Sequence, residues 1–330
     1  MKRCCTLCVC VLGLTLFMAG SALAAERLMV YTSMKESLMG SVKKAFAAKH
    51  PEVVLDYQSA GAGKLMAKIA AEREAGKILA DVLWTSEVPD FYKLKAEGLL
   101  QPYTSPEIKN ILNPLPDFDG SFTPLRLGTL GIAYNPRFIK EAPTQWADLK
   151  KPAYKGAFGI ANPALSGTSY MSVALLVDKF GWEFIEALKA NKAKMGKGSG
   201  QVIDDTASGD LVASLAVDYI TNDKISKGAT LKMAYPPEML VIPSPCAIFK
   251  GASNVAAAQK YIDFMLSKEG QTIVAAEGTL PVRTDVVVPP QFGLPSPAEA
   301  MQRAIKIDYQ RLISTKEETV KKFTGIMQGK

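Results

Sequence analysis

The sequence predicts an α/β protein with a largely parallel sheet covered by helices on both faces. Three observations predict it. From residue 27 to residue 100, β-rich runs alternate with helical ones across short connections. A proline-rich, polar segment over residues 101–127 interrupts that alternation. The alternation then resumes to the end of the chain, which predicts a second α/β unit; 330 residues are enough for two.

The elements follow in order. "RLMVYTS" (27–33) is a short β-rich run, and "LMGSVKKAFAAKHP" (38–51) spaces its apolar residues as a helix that stops at Pro51. "VVLDYQSA" (53–60) is the second strand and "GAGKLMAKIAAERE" (61–74) the second helix. "ADVLWTS" (80–86) reads as a third, buried strand, with Trp84 in the core, and "VPDFYKLKAEGLL" (88–100) as a third helix. After the break, "LGTLGIAYNP" (127–136) is a glycine-broken strand and "GAFGIANP" (156–163) precedes a helix that starts at Ser166. "WEFIEALKANKA" (182–193), "DTASGDLVASLAVDYI" (205–220) and "LKMAYPPEMLVIPSPCAIFKG" (231–251) continue the pattern. "NVAAAQKYIDFMLSKEGQTIVAAEG" (254–278) predicts two helices, and two more apolar-periodic runs end the chain.

The first residues have a different character. Lys2 and Arg3 precede an apolar run, Val9 to Ala19, and "SALAAE" places Ala22 and Ala24 in A-x-A spacing. This predicts a signal peptide over residues 1–24, cleaved after Ala24, and export to the periplasm. Cys4, Cys5, Cys8 and Cys10 fall inside it, so the mature chain keeps only Cys246 and has no internal disulfide. No later run is apolar enough to span a membrane. The net charge of +7 falls to +5 without Lys2 and Arg3. The lysines are scattered, with no basic arm or aromatic-laced stripe, which argues against nucleic acid. A mild positive balance favours anionic small molecules or serves solubility alone.

Ligands of doubly wound sheets bind at the loops after the strands. Those loops carry the candidate residues: Ser33; Ser59, Gly61, Ala62 and Gly63; Thr85 and Ser86; Ser166, Gly167, Thr168 and Ser169; Asp204 and Asp205. The run from Ser166 to Ser169 opens a helix with three hydroxyls and a glycine. One hydroxyl suffices as a cap, so the run reads either as capping or as an anion site at a helix N-terminus. "SAGAGK" could seat an anion in the same way or be a plain helix start. It fails as a nucleotide-binding P-loop, because Gln58 stands where the first glycine belongs and Leu65 follows Lys64. Asp204 and Asp205 read as adjacent acids before a helix, either as first-turn acids or as acceptors for sugar hydroxyls or an amine.

Enzyme chemistry finds no support. A G-x-S-x-G elbow and an H-E-x-x-H pair are absent, His50 is the lone histidine and lies outside every candidate loop, and Cys246 sits in an apolar run. No metal site or cofactor is expected.

Several segments, in this order, carry a resemblance to a known family: "LMVYTS", "ADVLWTSE", "AEGLLQPY", "LGTLGIAYNP", "YKGAFGIANPALSGTSY", "AAQKYIDFMLSKEGQ" and "EGTLPVRTDV". They span nearly all of the chain after residue 25. The chain resembles the periplasmic solute-binding proteins of ABC importers, in the branch that holds ferric-ion, hexose-phosphate, aminoethylphosphonate and thiamine-phosphate binders. The resemblance implies a type II two-lobed fold with the ligand in the interlobe cleft and hinge strands near residues 125–133 and 235–244. It implies lobe 1 from residues 26–128 and 246–298, and lobe 2 from 129–245 and 299–330. It also implies a monomer that closes over its ligand and docks on a membrane permease. Ferric-ion binders of this branch carry two adjacent tyrosines; here "AVDYITND" keeps Tyr219 but has Ile220 beside it, and "TSMKES" lacks a histidine. The resemblance places Asp218 and Tyr219 at the family's ligand position, either as ligand residues or as core packing, and with the Ser166–Ser169 run it points to a small phosphorylated organic anion, a sugar phosphate ahead of a phosphonate, with ferric iron as the alternative.

Overall fold

The computed structural model describes residues 26–113, 115 and 119–329, and the expected signal peptide lies outside them. The chain alternates much as its periodicity predicts. β1 (Glu26–Thr32), α1 (Glu36–Lys49), β2 (Val53–Ser59), α2 (Ala62–Glu74), β3 (Val82–Trp84) and α3 (Val88–Ala96) come first. A two-residue β4 (Leu100–Gln101) leads to the long β5 (Thr123–Tyr134). β6 (Phe158–Ala161), α4 (Gly167–Phe180), α5 (Trp182–Ala190), β7 (Lys194–Gly196), α6 (Ser199–Ser208), β8 (Ala213–Val217), α7 (Asp218–Ser226) and β9 (Lys232–Ala234) follow. β10 (Leu240–Phe249), α8 (Val255–Leu266), α9 (Lys268–Ala276), α10 (Pro297–Arg303) and α11 (Tyr309–Gln328) end the chain.

The sheet runs β2-β1-β3-β10-β5-β8-β6-β7, with β4 paired to β10 and β9 to β5. It is parallel at both ends, where β1 pairs with β2 and β3, and β6 with β7 and β8. The centre departs from the expected parallel sheet. β5 and β10 run antiparallel to each other, to β3 and to β8. They carry the chain between the two ends of the sheet, and every residue of both is buried. β5 contains the expected 125–133 segment. The second crossing strand starts at Leu240 and not at Tyr235, because Pro236 and Pro237 cannot donate to a ladder. Pro245 is accommodated by a register shift between Ser244 and Pro245.

Beyond β10 the chain returns to the first end of the sheet, where α8 packs on β1 and α9 on α1. α11 differs from expectation. It packs on α4 and α5 but also on α3, so the last helix touches both ends of the molecule. Its sequence allows this because Leu312 and Phe323 are buried on one face while Lys316 reaches across to the start of α3. Trp84 is fully buried, as expected of a core residue. Cys246 is buried in β10, and burial pushes its thiol well above the usual range. His50 ends α1, its Nδ1 3.4 Å from Glu52 and its ring on Phe46. Among the described residues, no helix is long and apolar enough to cross a membrane.

Candidate functional site

Between the two ends of the sheet lies a cleft of about 470 Å³. Helix N-termini from both sides converge on it. α1 and α2 begin there with Lys35 and Gly61 as N-caps, and neither cap bonds through a side chain. On the far side, α4 begins at Ser166 and α6 at Gly198, which has no side chain to cap with. The first amides of a helix lack internal partners and the dipole is positive at that end, so these termini together favour an anion.

The helix starts bring three hydroxyls together. Ser166 Oγ lies 3.1 Å from Thr168 Oγ1 and 2.9 Å from Ser199 Oγ, and the latter two are 3.2 Å apart. Capping alone does not require this triangle: Ser166 Oγ accepts from the Ser169 amide only at 3.4 Å.

The floor is a buried polar chain. Arg126, 1% exposed, donates through Nε to Ser244 Oγ at 3.1 Å and through Nη1 to Thr279 Oγ1 at 2.8 Å. Its Nη1 also meets Asp218 Oδ1 at 3.3 Å. Ser244 in turn lies 2.8 Å from Ser86 Oγ. The guanidinium lies 4.7 Å over the Tyr219 ring. Tyr219 spans the cleft: its hydroxyl accepts the Lys35 amide proton at 2.9 Å. Burial, partly opposed by Arg126, pushes the phenol up to about 12. At neutral pH Tyr219 is therefore an uncharged phenol, with its own proton left to donate.

Of the expected residues, Ser33, Ser59, Gly61, Ala62, Ser86, Ser166, Gly167, Thr168 and Tyr219 line this cleft. The structure places six elsewhere. Thr85 is buried and does not line the cleft, and Ser169 turns inward to donate to the Ala161 carbonyl. Asp218 is fully buried and accepts from the Thr129 amide and hydroxyl, from Thr279 and from its neighbour Tyr219 as well as from Arg126. Its role is to neutralise Arg126 from behind. Asp204 and Asp205 stand inside α6 and not ahead of it; Asp204 pairs with Lys224. The helix starts six residues earlier than their spacing suggested, because "KGSG" supplies its flexible entry. Gly63 faces the opposing backbone: a β-carbon there would lie 2.5 Å from the Ala164 carbonyl oxygen. Gly61 does the same against the Leu165 carbonyl. These glycines admit the other side of the molecule, which differs from the expected approach to a phosphate.

Lys35, Arg126, Lys197 and Ser199 also line the cleft without having been candidates. "KGSGQ" before a helix repeats the small-residue signal of "LSGTS". A lone arginine inside the apolar run "TPLRLGTL" signals a buried charge in need of a carboxylate.

Next to the α4 terminus is an acid pair. Glu87 packs so closely under Gly167 that a β-carbon there would lie 2.6 Å from its own. Lys316 of α11 meets Glu87 at 2.5 Å and Asp90 at 2.6 Å. Burial, then the Asp90 charge, pushes Glu87 up to about 7 against the pull of Lys316; burial raises Asp90 too. A raised acid stabilises the fold fully below its unfolded value of 4.5, and that stability is lost as pH rises through about 7. Thermal melts from pH 4.5 to 8 should show this loss, on the order of 1–3 kcal/mol. Glu87→Gln should flatten it, and an unchanged slope in that variant would remove Glu87 as its source.

A family profile described as bacterial extracellular solute-binding protein matches residues 77–311. The chain belongs to this family. Its members are the substrate-binding components of ABC importers, with the type II periplasmic-binding-protein fold. A protein named putative 2-aminoethylphosphonate-binding periplasmic protein, from Salmonella typhimurium, is 26% identical over 246 residues, 71% of each chain. Among solved structures, the periplasmic binding protein AfuA from Actinobacillus pleuropneumoniae, with exogenous fructose 6-phosphate bound, is 25% identical. It superposes with a TM-score of 0.76 over 92% of this chain and 99% of its own. Iron-bound HitA from Pseudomonas aeruginosa, 24% identical, has a TM-score of 0.74 over 90% of this chain and 99% of its own, and so shares the fold.

Proposed function

We propose that this solute-binding protein works in the periplasm as a monomer. It captures a small phosphorylated organic anion in the cleft and delivers it to an ABC permease. The observation that carries the proposal is the Ser166–Thr168–Ser199 triangle at the adjacent starts of α4 and α6. Three hydroxyls, free amides and two dipoles suit the oxygens of a phosphoryl group. The bound fructose 6-phosphate in AfuA and the phosphonate in the Salmonella relative's name are of the same class. The moving bodies would be residues 26–128 with 246–298, and 129–245 with 299–330, β5 and β10 acting as hinges. Capture by closure needs no catalytic group, so a transport role without turnover follows.

Within that class, a sugar phosphate fits better than an aminophosphonate. An ammonium needs a carboxylate, and among the described residues none that lines the cleft carries one. Ferric iron prefers anionic oxygen ligands, whereas the cleft supplies one phenol, neutral at pH 7.

The test is thermal unfolding of protein stripped of ligand by denaturation and refolding. Glucose 6-phosphate, fructose 6-phosphate, 2-aminoethylphosphonate, inorganic phosphate and ferric citrate are compared. A ligand at 100 times its Kd adds about 2.7 kcal/mol of stability. A phosphate ester should shift the melting temperature, and replacing Ser166, Thr168 and Ser199 together by alanine should weaken it at least ~100-fold, through lost charge-assisted hydrogen bonds. A shift with ferric citrate alone, or full affinity in the triple variant, would overturn the proposal.

A further inference from the structure

The charge inventory of the cleft goes further than one phosphoryl group. Among the described residues, four cationic side chains line it: Lys35, Lys64, Arg126 and Lys197. Asp218 neutralises Arg126 from behind. The three lysines have no carboxylate partner among the described residues. Glu36, the acid next to Lys35 in sequence, bonds the Tyr57 hydroxyl.

The lysines are also divided. Lys197 precedes α6 and stands on the same side as the hydroxyl triangle. Lys35 and Lys64 stand at the starts of α1 and α2, across the cleft. They are near enough that desolvation and the Lys64 charge together hold the Lys35 ammonium below its ordinary range. Two like charges kept together beside uncapped helix starts, without a counter-ion from the chain, form a second electropositive locus.

We propose that the ligand carries two anionic groups: a phosphoryl group at Ser166, Thr168, Ser199 and Lys197, and a carboxylate or second phosphoryl group held by Lys35 and Lys64. This inference rests on the phosphoryl reading of the hydroxyl triangle. It assigns Lys35 and Lys64 as the residues that choose among phosphate esters. A neutral sugar tail leaves both ammonium groups uncompensated in the closed cleft, whereas a second anion satisfies them with charge-assisted hydrogen bonds.

Matched probes test it by titration calorimetry. Glycerol 3-phosphate and 3-phosphoglycerate share a three-carbon skeleton and a phosphoryl group, and only the second bears a carboxylate. Fructose 6-phosphate and fructose 1,6-bisphosphate form a second pair. The two-anion member of at least one pair should bind at least ~10-fold tighter than its partner. In Lys35→Met/Lys64→Met that ratio should collapse towards one. Both residues are exposed and neither makes an ion pair with another described residue, so the variant should fold, as its melting temperature would report. Equal affinity within both pairs would sink this inference and leave the phosphoryl reading standing, as would a ratio that survives in the double variant. Binding of no phosphorylated probe at all would sink both.

Discussion

Replacing Gly61 and Gly63 together by alanine should weaken ligand capture without harming the unliganded fold. A β-carbon at either position runs into a backbone carbonyl of residues 164–165, which belong to the other side of the cleft. Backbone cannot swing away as a flexible side chain would. Overpacking of this kind costs about 1–3 kcal/mol, which corresponds to roughly 5- to 150-fold in affinity if the closed form alone holds the ligand. If the two sides part when ligand leaves, as proposed, the penalty falls on closure and not on the unliganded fold. Gly61 has φ −61° and ψ 146°, a conformation alanine adopts freely. Gly63 lies in the first turn of α2, where alanine raises helix propensity by about 1 kcal/mol. The variant should therefore melt at or above the wild-type temperature without ligand, lose most of its ligand-induced shift, and keep a larger radius of gyration in solution scattering when a phosphate ester is added. Wild-type affinity in the variant would show that the two sides need not meet along α2.

Arg126→Met should produce the largest loss of stability. Asp218 is fully buried, and the other groups that meet its carboxylate are neutral donors. Removing the arginine leaves a buried charge without its counter-ion, a change that costs about 3–5 kcal/mol. In a chain of this size that is a fall of roughly 5–8 °C in melting temperature. Arg126→Met/Asp218→Asn removes both charges and should recover much of the loss. A double variant no more stable than the single one would show that the damage comes from packing against Tyr219 and Ser244, not from charge. Neither variant should bind ligand well, because the same side chain closes the cleft floor.

Much of this architecture was legible in sequence. "RLMVYTS", "VVLDYQSA" and "ADVLWTS" became β1, β2 and β3 because β-rich character and apolar periodicity are local and survive in the fold. The hydroxyl run at Ser166 marked the start of α4 for the same reason: a cap acts on the amides next to it in the chain. The family resemblance rested on ordered segments of this kind. Where local signals were mixed, the boundaries moved. "GSGQVIDDTAS" contains two plausible helix starts, and the glycine-flanked one prevails, with Gly198 in extended conformation as the N-cap of α6.

The site itself depended on tertiary structure. Ser199 lies 33 positions from Ser166, and no periodicity joins them; they meet because β6 and β7 are parallel neighbours whose following helices start side by side. Arg126 sits in a buried strand, and only its meeting with Asp218, 92 positions on, makes it a cleft residue instead of a defect. The same convergence turned Asp218 and Ser169 inward and gave Gly61 and Gly63 a partner in the opposing backbone. Composition, periodicity and caps are set by residues within one or two turns of each other, so the sequence by itself determined the elements and the family. Which side chains share a cleft depends on the order in which strands assemble into one sheet, and only the tertiary structure decided that.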